Sequence, residues 1–235
     1  MSWRSQAQIY LRDLALFEEE IYVPTVHSRS ALNVEVSKPD VHFEGAISPL
    51  PANLAVFEKE ICTCTKCSLG STRTKFVFGD GNPHARIVFV GEAPGFDEDQ
   101  TGIPFVGKAG QLLNEMLSEV GLKREDVYIC NTLKCRPPQN RDPLPEEKQV
   151  CKPYLLTQLA LINPEIIVCL GRHAASELLG SESAMKDVRG RVISWREKKL
   201  LVTYHPAYYL RNMSQRTVGE ADFKLLRQLY DQLSN

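Results

Sequence analysis

Four short apolar runs stand out along the chain: RIVFVGE (86–92), DVYICNTL (126–133), EIIVCLG (165–171) and KLLVTYH (199–205). They are rich in Val and Ile and bounded by Gly, Pro or Asn. Runs of this kind, with little polar alternation, read as strands buried on both faces. Between and after them, apolar positions recur at helical spacing over 108–121, 146–163, 172–180 and 219–233. Alternating strand and helix predicts an α/β fold of three layers, α/β/α, around a four-stranded parallel sheet. Upstream the texture differs. Tyr10, Leu14, Phe17 and Ile21 fall on one face of a helix expected over 3–22. Residues 23–52 lose any period and carry Pro24, Pro39, Pro49 and Pro51, as a linker or an extended surface segment does. The chain therefore divides into an N-terminal helix and linker, 1–52, and a folded domain, 53–235.

Sheets of this type bind ligands in the crevice at the carboxyl ends of their strands. That rule selects four loops: GEAPGFDEDQTGIPFVG, CNTLKCRPPQNRDP, GRHAA and HPAYYLRN. Three of the four are dense in polar residues, aromatics, Gly and Pro, and the chemistry is expected there.

Composition narrows the class. An apolar share of 43 % and a charged share of 24 % exclude a wholly disordered, collagen-like or disulfide-stapled chain. No stretch approaches the roughly 18 consecutive apolar residues of a membrane span. The first residues lack the apolar core of about 7–15 residues that marks a secretory signal. A cytoplasmic, membrane-free protein is expected. The net charge of −1 is unevenly divided: residues 1–60 hold five basic and nine acidic residues, and the remainder 23 and 20. The folded part is thus mildly basic, which permits contact with a polyanion.

Seven cysteines, an odd number, in a chain expected in a reducing compartment argue against a disulfide framework. Cys64 and Cys67 form a C-x-x-C, Cys135 ends the second strand region, and Cys151 follows 16 residues later in the next helix. Four thiolates can converge from these two segments, on a structural zinc or on an iron–sulfur cluster. Cys62, two residues before Cys64, could stand in for it. Cys130 and Cys169 lie inside apolar strands and are expected to pack as small hydrophobes.

Taken together, GEAPGFDEDQTGIPFVGKAGQLL, YICNTLKCRPPQNRDPLPEE and HPAYYLR, in this order and with the four cysteines at matching places, resemble the family 4 uracil-DNA glycosylases. The resemblance runs from about Cys62 to Leu233 and leaves out the first 55 or so residues. It implies a four-stranded parallel sheet and a [4Fe-4S] cluster on Cys64, Cys67, Cys135 and Cys151. It also implies excision of uracil from DNA by base flipping and hydrolysis of the N-glycosidic bond, leaving an abasic site. No Lys at a matched motif position suggests strand cleavage. Uracil-containing DNA would be the partner and the protein is expected to be a monomer. The N-terminal helix could serve a protein partner, and an iron–sulfur protein that binds uracil-DNA or tethers a repair partner without turnover is the alternative.

The same resemblance distributes roles. Phe105 matches the residue that stacks on the flipped base. Asn131 offers a donor and an acceptor that read uracil O4 and N3–H. His205 would aim a neutral imidazole N–H at the uracil anion. Ala93 stands where family 1 enzymes carry Asp, so the water-activating role falls first to Glu92 and second to Glu98, with Asp99 beside it. Gly95 allows main-chain N–H groups to approach the ligand. Lys108, Arg136, Arg141 and Arg211 are expected on DNA phosphates. Tyr208, Tyr209 and Leu210 occupy the stretch where relatives insert a wedge, with Tyr209 at a position that often holds Leu.

Overall fold

The computed structural model describes residues 44–180 and 184–233. The helix expected over 3–22 and the first part of the linker lie outside the described residues. The last part of the linker, from residue 44, runs along the domain. Ile47 donates its backbone N–H to Thr157 Oγ1 at 2.8 Å, and Ala46 and Ile47 pack on the core.

The sheet has six strands: β1 (Asp80–Gly81), β2 (Ile87–Gly91), β3 (Tyr128–Asn131), β4 (Ile166–Leu170), β5 (Val192–Trp195) and β6 (Lys198–Thr203), in the order β1-β3-β2-β4-β6-β5. The four expected strands are β2, β3, β4 and β6, and they run parallel to their neighbours. Two antiparallel edge strands extend that sheet. The sequence gives little sign of either. β1 is two residues long with no apolar side chain, and β5 is exposed on alternate residues.

The inner strands are buried along their length, apart from Lys198 and Lys199 at the start of β6, because both faces are covered. Val88, Val90, Cys130, Ile167, Cys169, Leu200 and Val202 point to one side. There they meet α1 (Leu54–Ile61), α5 (Pro145–Ile162) and α6 (Arg172–Leu179). Ile87, Phe89, Ile129, Ile166, Val168 and Leu201 point to the other, against α4 (Lys108–Glu119) and α9 (Arg216–Gln232). Period-2 alternation between two apolar layers leaves no polar position, hence the continuous runs. Cys130 and Cys169 sit fully buried in the first layer, as small hydrophobes do. Among the described residues there are also four short α-helices: α2 (Leu69–Thr72), α3 (Phe96–Thr101), α7 (Met185–Val188) and α8 (Pro206–Arg211).

The strand order creates the crevice. The chain leaves β2 toward β3 on one side, and leaves β4 toward β6 on the other. The outgoing loops diverge above the β2–β4 pair, and the space between them is where an open parallel sheet takes its ligand.

Candidate active site

A cavity of about 690 Å³ opens at that point. Its lining includes Glu92, Ala93, Gly95, Glu98, Phe105, Lys108, Asn131, Arg141, His205 and Arg211. Ten sequence-predicted residues from three of the four selected loops thus meet in one place.

The pocket floor is Asn131, the last residue of β3. It is 2 % exposed, and its Oδ1 has no hydrogen-bond partner among the described residues. A buried, unpaired carbonyl oxygen costs stability unless a ligand supplies a donor. Gly91 ends the neighbouring strand. A Cβ there would lie 2.3 Å from Asn131 Oδ1 and 2.6 Å from the Phe105 ring, so the missing side chain is what brings the two together.

Phe105 is held in a conformation that a non-glycine residue rarely adopts, with φ of 54°. Arg124 fixes it: its guanidinium donates to Pro104 O at 2.6 Å and Phe105 O at 3.2 Å, and Nε pairs with Asp80 at 2.9 Å. Gly110 of α4 lets that helix close on the Phe105 backbone, where any Cβ would strike the carbonyl. Strain of about 1–3 kcal/mol persists only where the surroundings enforce it, and here they aim a ring across the pocket.

Glu98 organises the same loop. Oε1 accepts the N–H groups of Val106 and Gly107, both at 2.9 Å, and Oε2 accepts that of Gly95 at 3.1 Å. With both oxygens so engaged, Glu98 ties α3 to the start of α4. Asp99 is buried and accepts the Thr74 N–H at 2.9 Å, so it too is a structural tie.

His205 caps α8, and its Nδ1 accepts the Ala207 N–H at 3.2 Å. That bond leaves the proton of a neutral ring on Nε2. Burial drives its pKa down to about 4, aided by Arg211 and His173 and opposed by Glu98. The ring centroid lies 5.4 Å from that of Phe105. Near pH 7 the imidazole is therefore neutral, with one N–H to donate.

Glu92 differs from Glu98. Burial raises its pKa to about 7; Asp142 adds to the rise, while Arg172 and Lys148 oppose it. His173 Nε2 stands 3.7 Å from Glu92 and 3.5 Å from Asp142. Sequence reasoning missed this group. The signal was the place of GRHAA and CNTLKCRPPQNRDP at strand ends, since neither His173 nor Asp142 belongs to a recognisable spacing with Glu92.

The expected DNA contacts separate into kinds. Lys108 and Arg211 are exposed at the cavity lining. Arg136 lies outside the lining, with its guanidinium 5.1 Å from the Phe96 ring centroid. Arg141 is committed to Glu147 through two bonds of 2.6 and 2.9 Å and braces the loop. Tyr209 corrects the sequence reading: it is fully buried, 3.1 Å from Thr203 Oγ1, and packs over Gly219. A side chain so enclosed cannot reach DNA. Tyr208 stacks on Tyr204 at 4.3 Å. The exposed apolar side chains of this stretch are Leu210 and, just beyond, Met213.

Cys64, Cys67, Cys135 and Cys151 gather beneath the β3 exit loop, close enough for their charges to influence one another. Arg73 donates to Cys135 Sγ at 3.3 Å and to the carbonyls of Cys64 and Cys62; Tyr154 Oη donates to Cys64 Sγ at 3.3 Å. Cys62 turns its thiol back to Lys59 O at 3.5 Å, outside the quartet. Lys134, fully buried, spans the gap between quartet and pocket. Its Nζ donates to Asn131 O at 2.7 Å and to Gln158 Oε1 at 2.5 Å.

Comparison with known proteins places these features. The family model described as the uracil DNA glycosylase superfamily matches residues 78–233. The chain is similar to a type-4 uracil-DNA glycosylase of Thermotoga maritima, 51 % identical over 163 residues, covering 68 % of this chain and 85 % of that one. It is also similar to the type-4 uracil-DNA glycosylase of Archaeoglobus fulgidus, 51 % identical over 179 residues, covering 73 % and 90 %. A type-5 uracil-DNA glycosylase of Thermus thermophilus is more distant, 38 % identical over 117 residues, covering 43 % and 52 %.

Proposed function

Because the chain belongs to the uracil-DNA glycosylase superfamily, we propose that it excises uracil from DNA. It does so by flipping the nucleotide out of the helix and hydrolysing the bond between uracil N1 and deoxyribose C1′. The observation that carries this reading is Asn131 Oδ1, buried and without a partner. It asks for a donor, and uracil N3–H is one. Cytosine presents an unprotonated N3 there, which would leave two acceptors facing each other.

Flipping costs a few kcal/mol. Stacking on Phe105 returns roughly 1–3 kcal/mol, and the exposed Leu210 is placed to fill the vacated stack. As the C1′–N1 bond breaks, its electron pair goes to uracil, and charge builds on O2. His205 Nε2–H meets that charge without titrating, because the ring is neutral well below pH 7. Water then bonds to C1′, and its proton passes to Glu92, whose raised pKa suits a base near neutrality. Glu98 acts by holding the loop on which the pocket is built. Lys108 and Arg211 contact the phosphates.

Cys64, Cys67, Cys135 and Cys151 fit a [4Fe-4S] cluster. The four thiols come from two separated segments, and the Arg73 cation donates to Cys135 Sγ, which favours the thiolate form a cluster needs. When bound, the cluster cross-links the 64–67 segment to the β3–α5 segment and so fixes the loop below Asn131. The protein acts as a monomeric, cytoplasmic, monofunctional enzyme, and the N-terminal segment serves a protein partner. No helix of the described residues is long and apolar enough to cross a membrane.

The test is a duplex with one U·G pair, incubated with purified protein and then treated with alkali. Cleavage at the uracil only after alkali, lost in His205→Ala and Asn131→Ala, is the expected result. No alkali-labile site from protein that binds the duplex would overturn the reading. A break without alkali would overturn the monofunctional part and direct attention to Lys108.

A further inference from the structure

One wall of the cavity takes no part in reading uracil. Phe96, the first residue of α3, lines it and is 57 % exposed. An aromatic this open at the mouth of a binding cavity presents a π-face to whatever enters it. Its surroundings restrict what can cover it. The Arg136 guanidinium lies 5.1 Å from the ring centroid, and Arg136 Nε is held by Asn140 Oδ1 at 2.8 Å. Gln139 and Asn140 carry φ of 55° each, so the tight turn at the end of the β3 loop is what brings the cation back over the ring. A cation and a half-open aromatic surface make a ready platform for a flat π-system.

Charge selects the class of ligand further. Of the three acidic residues on α3, Glu98 and Asp99 are turned into backbone N–H groups, but Asp97 is exposed beside Phe96. A phosphate at this wall would share the cavity with the Asp97 carboxylate. A nucleobase is neutral and meets only the ring. When uracil leaves the stack, its neighbour on the same strand loses a stacking partner, and a single phosphodiester link keeps that neighbour within reach of the cavity mouth.

We propose that Phe96, backed by Arg136, is a stacking subsite for the base that flanks the flipped uracil on the same strand. The subsite gives the enzyme a hold on single-stranded as well as duplex DNA, because stacking needs no base pair. It rests on the uracil-excision reading.

The test is a double-mutant cycle between protein and DNA, read as Kd by fluorescence anisotropy. The probe is a single-stranded oligonucleotide with one 2′-fluorinated deoxyuridine, whose glycosidic bond resists cleavage. Its 5′ or 3′ neighbour is either a normal base or a baseless tetrahydrofuran. Stacking of about 1–3 kcal/mol corresponds to roughly 5- to 150-fold in Kd. Wild type loses a factor of that size when one of the two neighbours is baseless. Phe96→Ala loses the same factor with the normal neighbour and nothing further with the baseless one, while Phe96→Trp keeps the coupling. Equal losses on both probes, or no loss in Phe96→Ala, would overturn the subsite. Excision assayed in parallel on ordinary uracil distinguishes the two failures. A wild type that cuts uracil yet shows no coupling sinks the subsite alone, and one that never cuts uracil sinks the reading beneath it.

Discussion

Gly91→Ala adds one methyl group to the floor of the pocket. The new carbon would lie 2.3 Å from Asn131 Oδ1 and 2.6 Å from two atoms of the Phe105 ring. Ordinary carbon contacts are about 3.5–4.0 Å, so the ring and the amide must each retreat by roughly 1 Å. Neither can do so freely. Asn131 is anchored through its carbonyl by Lys134. Phe105 is anchored through its backbone by Arg124 and is closed in by α4 at Gly110. β2 is central in the sheet and cannot shift without disturbing β3 and β4. Overpacking of this kind costs about 1–3 kcal/mol of stability, which a domain of this size survives. A displacement of about 1 Å in a positioning group costs on the order of 100-fold in rate. The assay is single-turnover release of uracil from a U·G duplex, with thermal unfolding measured alongside. Gly91→Ala is expected to fold, with Tm lowered by a few degrees, and to lose about 100-fold in rate. A folded Gly91→Ala with wild-type excision would refute the claim that Asn131 and Phe105 together hold the base.

Three further outcomes follow from the site. If ionised Glu92 handles the water, kcat/KM rises with pH through about 7, where its pKa stands. Asp142→Asn removes a repulsion that raises this pKa, so the acid limb of the profile moves to lower pH; an unmoved limb would release Glu92 from the role. His205 is depressed to about 4 from an ordinary 6.5, so the unfolded chain binds its proton first as pH falls. Stability from this group is complete above about 6.5 and lost on the way down to 4, on the order of 3 kcal/mol in all. Urea unfolding at pH 7 and pH 4.5 should show a smaller drop for His205→Asn than for wild type, and equal drops would contradict the depressed value. Finally, Cys62→Ser should keep its full iron content and brown colour, whereas Cys135→Ser should lose both. Iron retained by Cys135→Ser, or lost by Cys62→Ser, would change the ligand set.

The sequence by itself determined the sheet's inner strands, because residues buried on both faces of a parallel sheet leave unbroken apolar runs. It also determined most of the pocket. Glu92, Asn131 and His205 each close or follow one of those runs, and parallel strands deliver their carboxyl ends to a single edge. The motifs around them carried the family resemblance. What it could not determine was where side chains of similar chemistry end up. Glu92 and Glu98 are both carboxylates in one loop. Only tertiary contacts commit Glu98 to three backbone N–H groups and leave Glu92 beside Asp142 and His173 with its pKa raised. Tyr209 and Leu210 are adjacent in sequence, yet the helix they share buries one against Thr203 and exposes the other. Lys134 belongs to no motif the sequence singles out, and the fold encloses it between Asn131 and Gln158. Periodicity reports which face of an element is apolar. The partner each polar atom finds depends on segments distant in sequence, and only the packed structure brings them together.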